Sequence, residues 1–339
     1  MNILFDSYNS VFSNPIGGVQ KRIKNLKFHL SKCGVNVVLF NKWQKDYDNI
    51  DIYHLFKVLP ESFEIVKHFK SNGIPIVVSS VFPICKKLNK RLKIKMSVLL
   101  HGSYYYIKKI LEMADHIIVQ TKLEEETIVS LFKLNKESIS IIPNGVSDVF
   151  FSTKSDSFVQ KYDIKEPYVL QVGSIEPNKN QLSVIKAMEG LDASLVLIGG
   201  ANSLHSDYYQ ECRKNAGEQV YFINWLDDDC LLASAYYNSQ VFILPSYQEI
   251  FGNSLFEASM SGTNVISTQV LPLESWGIST MCASIDPNSI ADIKAKLVEG
   301  LKKQKTEMLS KYIYNNFSWD KVAQQYISVY KKIIKNNDN

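Results

Sequence analysis

The chain carries, at residues 249–257, the stretch Glu249-Ile250-Phe251-Gly252-Asn253-Ser254-Leu255-Phe256-Glu257. The apolar run Val241–Leu244 lies just before it and predicts a buried parallel strand. A helical segment, Ser254–Met260, follows, and Asn253 or Ser254 is suited to be its N-cap. The stretch is therefore expected to turn from a parallel strand into a helix, which is typical of an α/β sheet.

Two carboxylates flank this turn. Glu249 is predicted on the loop above the sheet and Glu257 in the first helical turn, where side chains lean toward the helix N-terminus and the same crevice. Free N–H groups at the helix start can hold a phosphate. One carboxylate for a sugar, the N–H groups for a diphosphate and one carboxylate for a ribose would together bind a nucleotide-sugar. The alternative is an ordinary turn with a solvated first helical turn.

The longer run Pro245–Ile266 resembles the Glu-x7-Glu signature of the family 4, or group 1, retaining glycosyltransferases. Gly252, Ala258, Gly262 and the Val-Ile strand that follows make this match more specific than two carboxylates alone. The resemblance covers nearly the whole chain and is strongest from Tyr168 to Ser267. It implies the α/β architecture called GT-B, in which two Rossmann-like domains face each other across a cleft and the second domain holds most of the donor.

Strand and helix signals alternate along the chain, which predicts doubly wound parallel sheets. The predicted strands are Ile3–Asp6, Val35–Phe40, Ile52–Leu55, Ile74–Ser79, His116–Gln120, Ile139–Ile142, Tyr168–Val172, Leu195–Ile198, Val220–Ile223, Val241–Leu244 and Val265–Ser267. A polar interval at residues 152–157 predicts a linker. We therefore expect an acceptor domain at 1–155 and a donor domain at 156–318. By the resemblance, a final helix at 319–335, capped by Ser318, joins the first domain; a terminal surface helix is the alternative.

A second candidate site lies in the loop Gly173–Asn180, directly after a predicted strand, where ligands bind in such sheets. The resemblance implies that Lys179 contacts the diphosphate and that Ser174 lines the donor site. Family members commonly carry an Arg after the Gly or before the Lys. Here those positions hold Ser174 and Asn178, which leaves one cation on the loop. The alternative is a surface turn with a solvated Lys.

A third candidate is the pair Gly17-Gly18, after the first strand and before a helix, where glycine lets a ligand approach the backbone closely. The resemblance implies that Gly18 lies near the donor diphosphate and Gly17 near the acceptor. His101 could also line the site, but its spacing from the next strand favours a helix or its cap. His54 is expected to be a buried, hydrogen-bonded histidine.

The residues expected to carry the chemistry fall into two sets. The catalytic candidates are Glu249 and Lys179. The donor-binding candidates are Gly18, Ser174, Lys179, Ile250, Phe251, Gly252, Asn253, Ser254 and Glu257. No metal or other cofactor is expected, because we find no Asp-x-Asp pair of the kind that holds a divalent ion on a nucleotide diphosphate, and the run Asp227–Asp229 is placed to cap a helix. A nucleotide diphosphate sugar would be the substrate.

Composition and charge limit the classes of protein and the cellular location that we expect. The 339 residues are 45% hydrophobic, and no run of roughly 20 apolar residues predicts a membrane span. The five cysteines are scattered, and the N-terminus lacks signal-peptide features, so we expect a cytoplasmic protein with reduced thiols. Residues 1–160 hold 22 Lys and Arg against 14 Asp and Glu, whereas the remainder holds 16 against 20.

The densest basic run is Lys86–Lys95, which is followed by Tyr104-Tyr105-Tyr106. Basic, aromatic and apolar residues interleaved in this way suit an anionic membrane surface such as the inner face of the cell membrane. The alternative, which the sequence supports equally well, is that the run lies on a solvated helix face. No recognition motif for nucleic acid accompanies the run.

The function that follows is retaining transfer of a sugar from a nucleotide diphosphate to a hydroxyl of a saccharide or lipid-linked saccharide. The resemblance implies a role in bacterial surface polysaccharide synthesis and front-face departure of the diphosphate. Two alternatives stay open: a non-catalytic partner or membrane-docking subunit, and a nucleotide-sugar epimerase of the same architecture. A dinucleotide oxidoreductase is disfavoured because no Gly-x-Gly-x-x-Gly follows either first strand.

Overall fold

The computed structural model describes residues 1–8, 18–44, 47, 49–85, 88–201 and 203–337. The chain divides into two compact units. Unit 1 comprises Met1–Gly145 and Trp319–Asn339, and unit 2 comprises Val146–Ser318. The unit boundary thus lies at residues 145 and 146, rather than at 155 and 156. Within the described ranges, no helix combines the length and the apolar character needed to cross a membrane.

Unit 1 is built on a sheet of six parallel strands in the order β2-β1-β3-β4-β5-β6. The strands are β1 (Asn2–Ser7), β2 (Asn36–Leu39), β3 (Ile52–Phe56), β4 (Ile76–Ser79), β5 (His116–Val119) and β6 (Ile139–Ile141). The helices of this unit are α1 (Gly18–Lys32), α2 (Phe63–Ser71), α3 (Leu88–Leu99), α4 (Ser103–Met113), α5 (Lys122–Phe132) and α14 (Trp319–Asn337). Strands β3, β4 and β5 are buried at every position, as expected where helices cover both faces of a parallel sheet.

Unit 2 contains a second parallel sheet in the order β12-β11-β10-β7-β8-β9. Its strands are β7 (Tyr168–Val172), β8 (Ser194–Ile198), β9 (Val220–Ile223), β10 (Val241–Leu244), β11 (Asn264–Thr268) and β12 (Ala283–Ile285). Its helices are α6 (Val149–Ser152), α7 (Ser157–Tyr162), α8 (Gln181–Ala187), α9 (Ser206–Asn215), α10 (Asp229–Asn238), α11 (Asn253–Ser261), α12 (Ile290–Lys302) and α13 (Glu307–Phe317). Counted from β7, the order is the Rossmann order 3-2-1-4-5-6, whose direction switches between β7 and β10.

Every strand predicted from the sequence is present, with ends that differ from the prediction by at most two residues. Strand β12 was not predicted, because Ala283-Ser284-Ile285 is too short to show an apolar run. The interval at residues 152–157 is not a linker. It lies inside unit 2, and the Ser155 carbonyl accepts hydrogen bonds from Ser234 Oγ at 2.6 Å and from Asn238 Nδ2 at 2.7 Å.

The last helix, α14, packs within unit 1. It opens at Trp319, as the sequence predicts, and the Trp319 ring lies so close to Gly145 that a Cβ on Gly145 would sit 2.2 Å from it. His29 Nδ1 on α1 lies 2.6 Å from Asp320 Oδ1, and the buried Arg22 guanidinium donates to the hydroxyl of Tyr326. The helix is therefore fixed to α1 by packing and by polar contacts.

His54 is fully buried on β3, which confirms that it is a hydrogen-bonded core histidine. Its Nδ1 lies 2.7 Å from the hydroxyl of Tyr330 on α14, and its Nε2 lies 2.9 Å from Ser79 Oγ on β4. Burial, and secondly the charge of Arg22, lowers the pKa of His54 well below its ordinary 6.5. The folded chain therefore keeps this imidazole neutral.

We expect this histidine to make stability pH-dependent. Below about pH 6.5 the unfolded chain binds a proton at His54 that the folded chain does not, so the free energy of unfolding should fall as pH falls, by up to about 1.4 kcal/mol per pH unit. In His54→Asn this component should be absent. The measurement is denaturant unfolding between about pH 7 and pH 5, with the exposed His68→Asn as control. Identical pH profiles for the wild type and His54→Asn would contradict this assignment.

Candidate functional site

The candidate site in unit 2 is formed by the loops that follow β7 and β10. These strands are parallel neighbours, with Val169 opposite Val241 and Leu170 opposite Phe242. Both loops therefore leave the sheet at the same edge, side by side. In open α/β sheets this switch point between the first and fourth strands is the place where ligands bind.

The loop after β7 is held in shape by side chains from its own unit. The buried Gln171 donates from Nε2 to the Lys179 carbonyl at 2.7 Å, and Gln181 donates from Nε2 to the Ser174 carbonyl at 2.8 Å. Asn180 adopts a left-handed conformation with φ of 56°, which Asn tolerates better than most residues. Its side chain donates to the Pro287 carbonyl at 2.8 Å. The backbone that presents Lys179 is thus fixed on both sides.

Hydrogen bonds join this loop to the loop after β10. Asn178 Nδ2 donates to the Gln248 carbonyl at 3.0 Å, and Asn178 Oδ1 accepts from the Gln248 amide at 3.0 Å. The Tyr247 amide donates to the Asn178 carbonyl at 2.9 Å. Asn178 stands where the resembling family commonly has an Arg, and here its side chain serves to hold the two loops together.

Lys179 and Glu249 meet at this junction as an ion pair. Ser246 Oγ donates to the same carboxylate oxygen, Glu249 Oε1, at 2.9 Å. The two charged side chains are only 20% and 13% exposed, so solvent screens the pair less than it screens a surface pair. The site therefore presents one ammonium group and one carboxylate, adjacent and partly shielded from water.

The turn into α11 depends on Gly252. Its φ of 80° is left-handed, and a Cβ there would lie 3.1 Å from Leu271 and 3.2 Å from Leu244. Gly252 occupies the N-cap position, so the prediction of Asn253 or Ser254 as the cap is wrong; those residues open the helix instead. The reason is conformational, since a positive φ favours glycine over a residue that caps through its side chain.

The remaining residues of the signature occupy different environments. Phe251 is buried against Phe256, with ring centroids 4.3 Å apart, so only its backbone can face a ligand. Ile250 is half-buried. Glu257 is also half-buried, and its Oε2 accepts from the hydroxyl of Tyr236 on α10 at 2.9 Å. Burial, followed by the charge of Glu257 and this hydrogen bond, raises the pKa of Tyr236 well above its ordinary 10.

Other sequence candidates belong to other elements of the chain. Gly18 is the first residue of α1 in unit 1, and Gly17 lies outside the described residues. His101 is exposed in the turn between α3 and α4, with its ring 4.4 Å from that of Tyr105, so it belongs to a helix end as its spacing favoured. Asp228 caps α10 by accepting from the amides of Cys230 and Leu231, which confirms the capping interpretation of the acidic run.

The two glycines that follow β8 support the site but were not among the predicted site residues. A Cβ on Gly199, whose φ is 150°, would lie 2.0 Å from the Gly173 carbonyl, and a Cβ on Gly200 would lie 3.1 Å from Trp225. The Ile175 amide donates to the Gly200 carbonyl at 3.0 Å. The loop carrying Lys179 therefore rests directly on this glycine pair. A Gly-Gly directly after the apolar run Leu195–Ile198 was the available signal.

Comparison with proteins of known structure places the chain in a structural class. The structure resembles sucrose-phosphate synthase from Thermosynechococcus elongatus, with a TM-score of 0.78, 18% identity and 99% of each chain covered. It also resembles HepE of Anabaena, solved in complex with UDP and glucose, with a TM-score of 0.76, 14% identity and 98% and 100% covered. At these identities the likeness establishes the fold alone, which is GT-B, as predicted.

The family follows from the sequence itself. Residues 152–319 match the family described as Glycosyl transferases group 1, and residues 16–149 match the one described as Glycosyltransferase Family 4. The chain belongs to the group 1, family 4 glycosyltransferases, as the resemblance implied.

Curated relatives match over part of their length. An uncharacterized glycosyltransferase of Methanocaldococcus jannaschii is 25% identical over 63% of this chain and 59% of its own length. An uncharacterized 41.2 kDa protein in the cps region of Klebsiella pneumoniae is 28% identical over 67% of this chain and 64% of its own. An O-antigen chain mannosyltransferase B of Escherichia coli is 24% identical over 51% and 48%. The chain thus spans less than two thirds of the length of each of these relatives.

We predict that Gly199→Ala disturbs the site by pushing the Gly173 turn. The new methyl group overlaps a backbone oxygen and occupies a left-handed position, which should cost about 1–3 kcal/mol of folding free energy and lower the melting temperature. Gly190→Ala is the matched control, because its φ is also positive, at 74°, but its nearest atom, Lys294 Nζ, is 3.9 Å away. Equal melting temperatures for the two variants would contradict the close approach at Gly199.

Proposed function

We propose that the protein transfers a sugar from a nucleotide diphosphate sugar to a hydroxyl group, with retention of anomeric configuration. The observation that carries this proposal is the Lys179–Glu249 pair at the switch point of the unit 2 sheet, next to the start of α11. A cation beside helical N–H groups suits a diphosphate, and a carboxylate beside them suits sugar hydroxyls. The family to which the chain belongs supports the same reaction.

In this proposal the main task of the site is to stabilise the leaving diphosphate. The bond between the anomeric carbon and the phosphate oxygen breaks, and its electron pair leaves with the diphosphate. Lys179 and the amides around Gly252 to Ser254 stabilise the added negative charge. An ammonium group has three donors, so Lys179 can bind a phosphate oxygen while it keeps its bond to Glu249.

The other residues receive roles that fit their surroundings. Glu249, held by Ser246, is proposed to hold sugar hydroxyls or to stabilise the positive charge that develops on the sugar ring. Glu257, oriented by Tyr236, is proposed to bind the ribose hydroxyls. The acceptor oxygen then bonds to the anomeric carbon on the face that the diphosphate leaves, and its proton passes to the departing phosphate oxygen. Retention follows without a covalent bond to the enzyme.

The relatives suggest a setting for this reaction. One lies in a cps region and another is an O-antigen chain mannosyltransferase, and the structural neighbour HepE was solved with UDP and glucose. We infer that the chain extends a saccharide or lipid-linked saccharide of a bacterial surface polysaccharide. The chain spans only part of the length of its curated relatives. The support for this proposed role therefore comes from the candidate site and from the family.

We predict that Lys179→Met and Glu249→Gln each lower turnover at least about 100-fold, since each removes a charge from the reacting region. The measurement is release of the nucleoside diphosphate together with formation of the glycosylated product. Lys186→Met, an exposed lysine on the neighbouring α8, is the matched control and should keep wild-type turnover. Wild-type turnover in folded Lys179→Met and Glu249→Gln would refute the proposal. Absence of transfer from any donor by the wild type would favour a non-catalytic partner instead.

Chelation provides a separate test. The proposed site neutralises the leaving group with Lys179 and backbone amides, so sugar transfer should proceed at the same rate with and without EDTA. The measurement is turnover of dialysed protein before and after addition of the chelator. Loss of activity that Mg²⁺ or Mn²⁺ restores would show that the chemistry needs a metal ion and that Lys179 does not carry the leaving-group charge alone.

A further inference from the structure

Helix α3 of unit 1 exposes a stripe of large apolar side chains. Leu88, Leu92, Met96 and Leu99 are 72%, 52%, 59% and 75% exposed. Their spacing of four, four and three residues places them on one face of the helix. Ile94, on the opposite side, is buried in the unit 1 core, so the helix packs on its own unit through the other face. The outward stripe therefore has no partner within the described part of unit 1.

Exposed aliphatic side chains in a row are unusual on a protein surface, because single apolar residues are common but contiguous patches mark interaction sites. The stripe continues beyond the helix into Leu100, which is 71% exposed. A solvated helix face, the alternative left open by the sequence, would be expected to carry polar residues at these positions. The composition of this face instead favours contact with an apolar phase.

The charged residues of α3 and of the segments that flank it in sequence are of one sign. No Asp or Glu occurs between Glu64 and Glu112. Helical spacing sets Lys93 on one side of the stripe and Lys95 on the other, and both are exposed. Neither takes part in an ion pair among the described residues, whereas Lys108 and Lys109 on α4 pair with Glu112. Lys86 and Lys87, at the start of the basic run, lie outside the described residues. The surface is therefore apolar along its centre and cationic along its margins.

We propose that this face of α3, consisting of Leu88, Leu92, Met96, Leu99 and Leu100 with Lys93 and Lys95, docks on an anionic lipid bilayer. An amphipathic helix lies in the membrane interface with its apolar face among the acyl chains and its lysines at the headgroups. Anionic headgroups complement a helix that carries lysines and no acidic residue. The helix lies on the surface and does not cross the bilayer.

Two other occupants fit the face less well. Single-stranded nucleic acid binds through aromatic side chains on which bases stack, whereas the exposed stripe is aliphatic. A second copy of this chain would cover the leucines but would bring two sets of unpaired lysines together. A bilayer with anionic lipids satisfies both the apolar stripe and the charges.

The test is flotation of the purified full chain with lipid vesicles, without any sugar donor, so that its outcome is independent of the proposed reaction. The protein should bind vesicles of equal parts phosphatidylcholine and phosphatidylglycerol and should not bind phosphatidylcholine alone. Replacing Lys93 and Lys95 by Gln should weaken binding about 30-fold, and added salt should also weaken it. Replacing Leu92, Met96 and Leu99 by Gln should weaken it at least about tenfold.

The matched control replaces Lys161 and Lys165, exposed lysines of unit 2, by Gln and removes the same charge elsewhere. Its binding should equal that of the wild type, and all variants should keep the wild-type melting temperature because the changed residues are exposed. Failure of the wild type to bind the anionic vesicles would overturn the proposal, as would binding by both α3 variants as tight as that of the wild type. A dimer in light scattering that the leucine variant abolishes, without vesicle binding, would assign the face to a second copy of the chain.

Discussion

The site depends on the connection between the loops after β7 and β10. Parallel pairing of these strands brings the two loops to one sheet edge, and the reciprocal hydrogen bonds between Asn178 and Gln248 then fix their relative position. Lys179 and Glu249 meet only because this connection exists. In the proposed reaction the cation comes from one loop and the carboxylate beside it from the other, so their separation depends on this connection.

The same connection explains the departure from the usual family pattern. An Arg at position 178 would add a second cation for the diphosphate, but the Asn there both donates to and accepts from Gln248 with one short side chain. This chain thus has one loop cation, and that cation is only 20% exposed. Partial shielding from water strengthens each charge interaction in the site.

Much of this architecture could be predicted from the sequence, because buried parallel strands appear as continuous apolar runs such as Val241–Leu244. Glu249 and Lys179 could be found because the motifs around them are local. Their direct contact could not be found, since 70 residues separate them and only the strand order brings them together. Likewise, the cap at Gly252 depends on a backbone angle, and the role of Gly199 depends on a neighbouring loop. Motif matching cannot supply information of that kind.

Thermal unfolding with a panel of nucleotides and nucleotide-sugars shows whether the unit 2 loops hold a nucleotide diphosphate sugar. A ligand at about 100 times its dissociation constant should add roughly 2.7 kcal/mol of stability. The melting temperature of the wild type should rise with the nucleoside diphosphate of one base and with the diphosphate sugars of that base. The rise should be much smaller in Lys179→Met. No shift with any compound, or an equal shift in wild type and Lys179→Met, would contradict the proposed donor site.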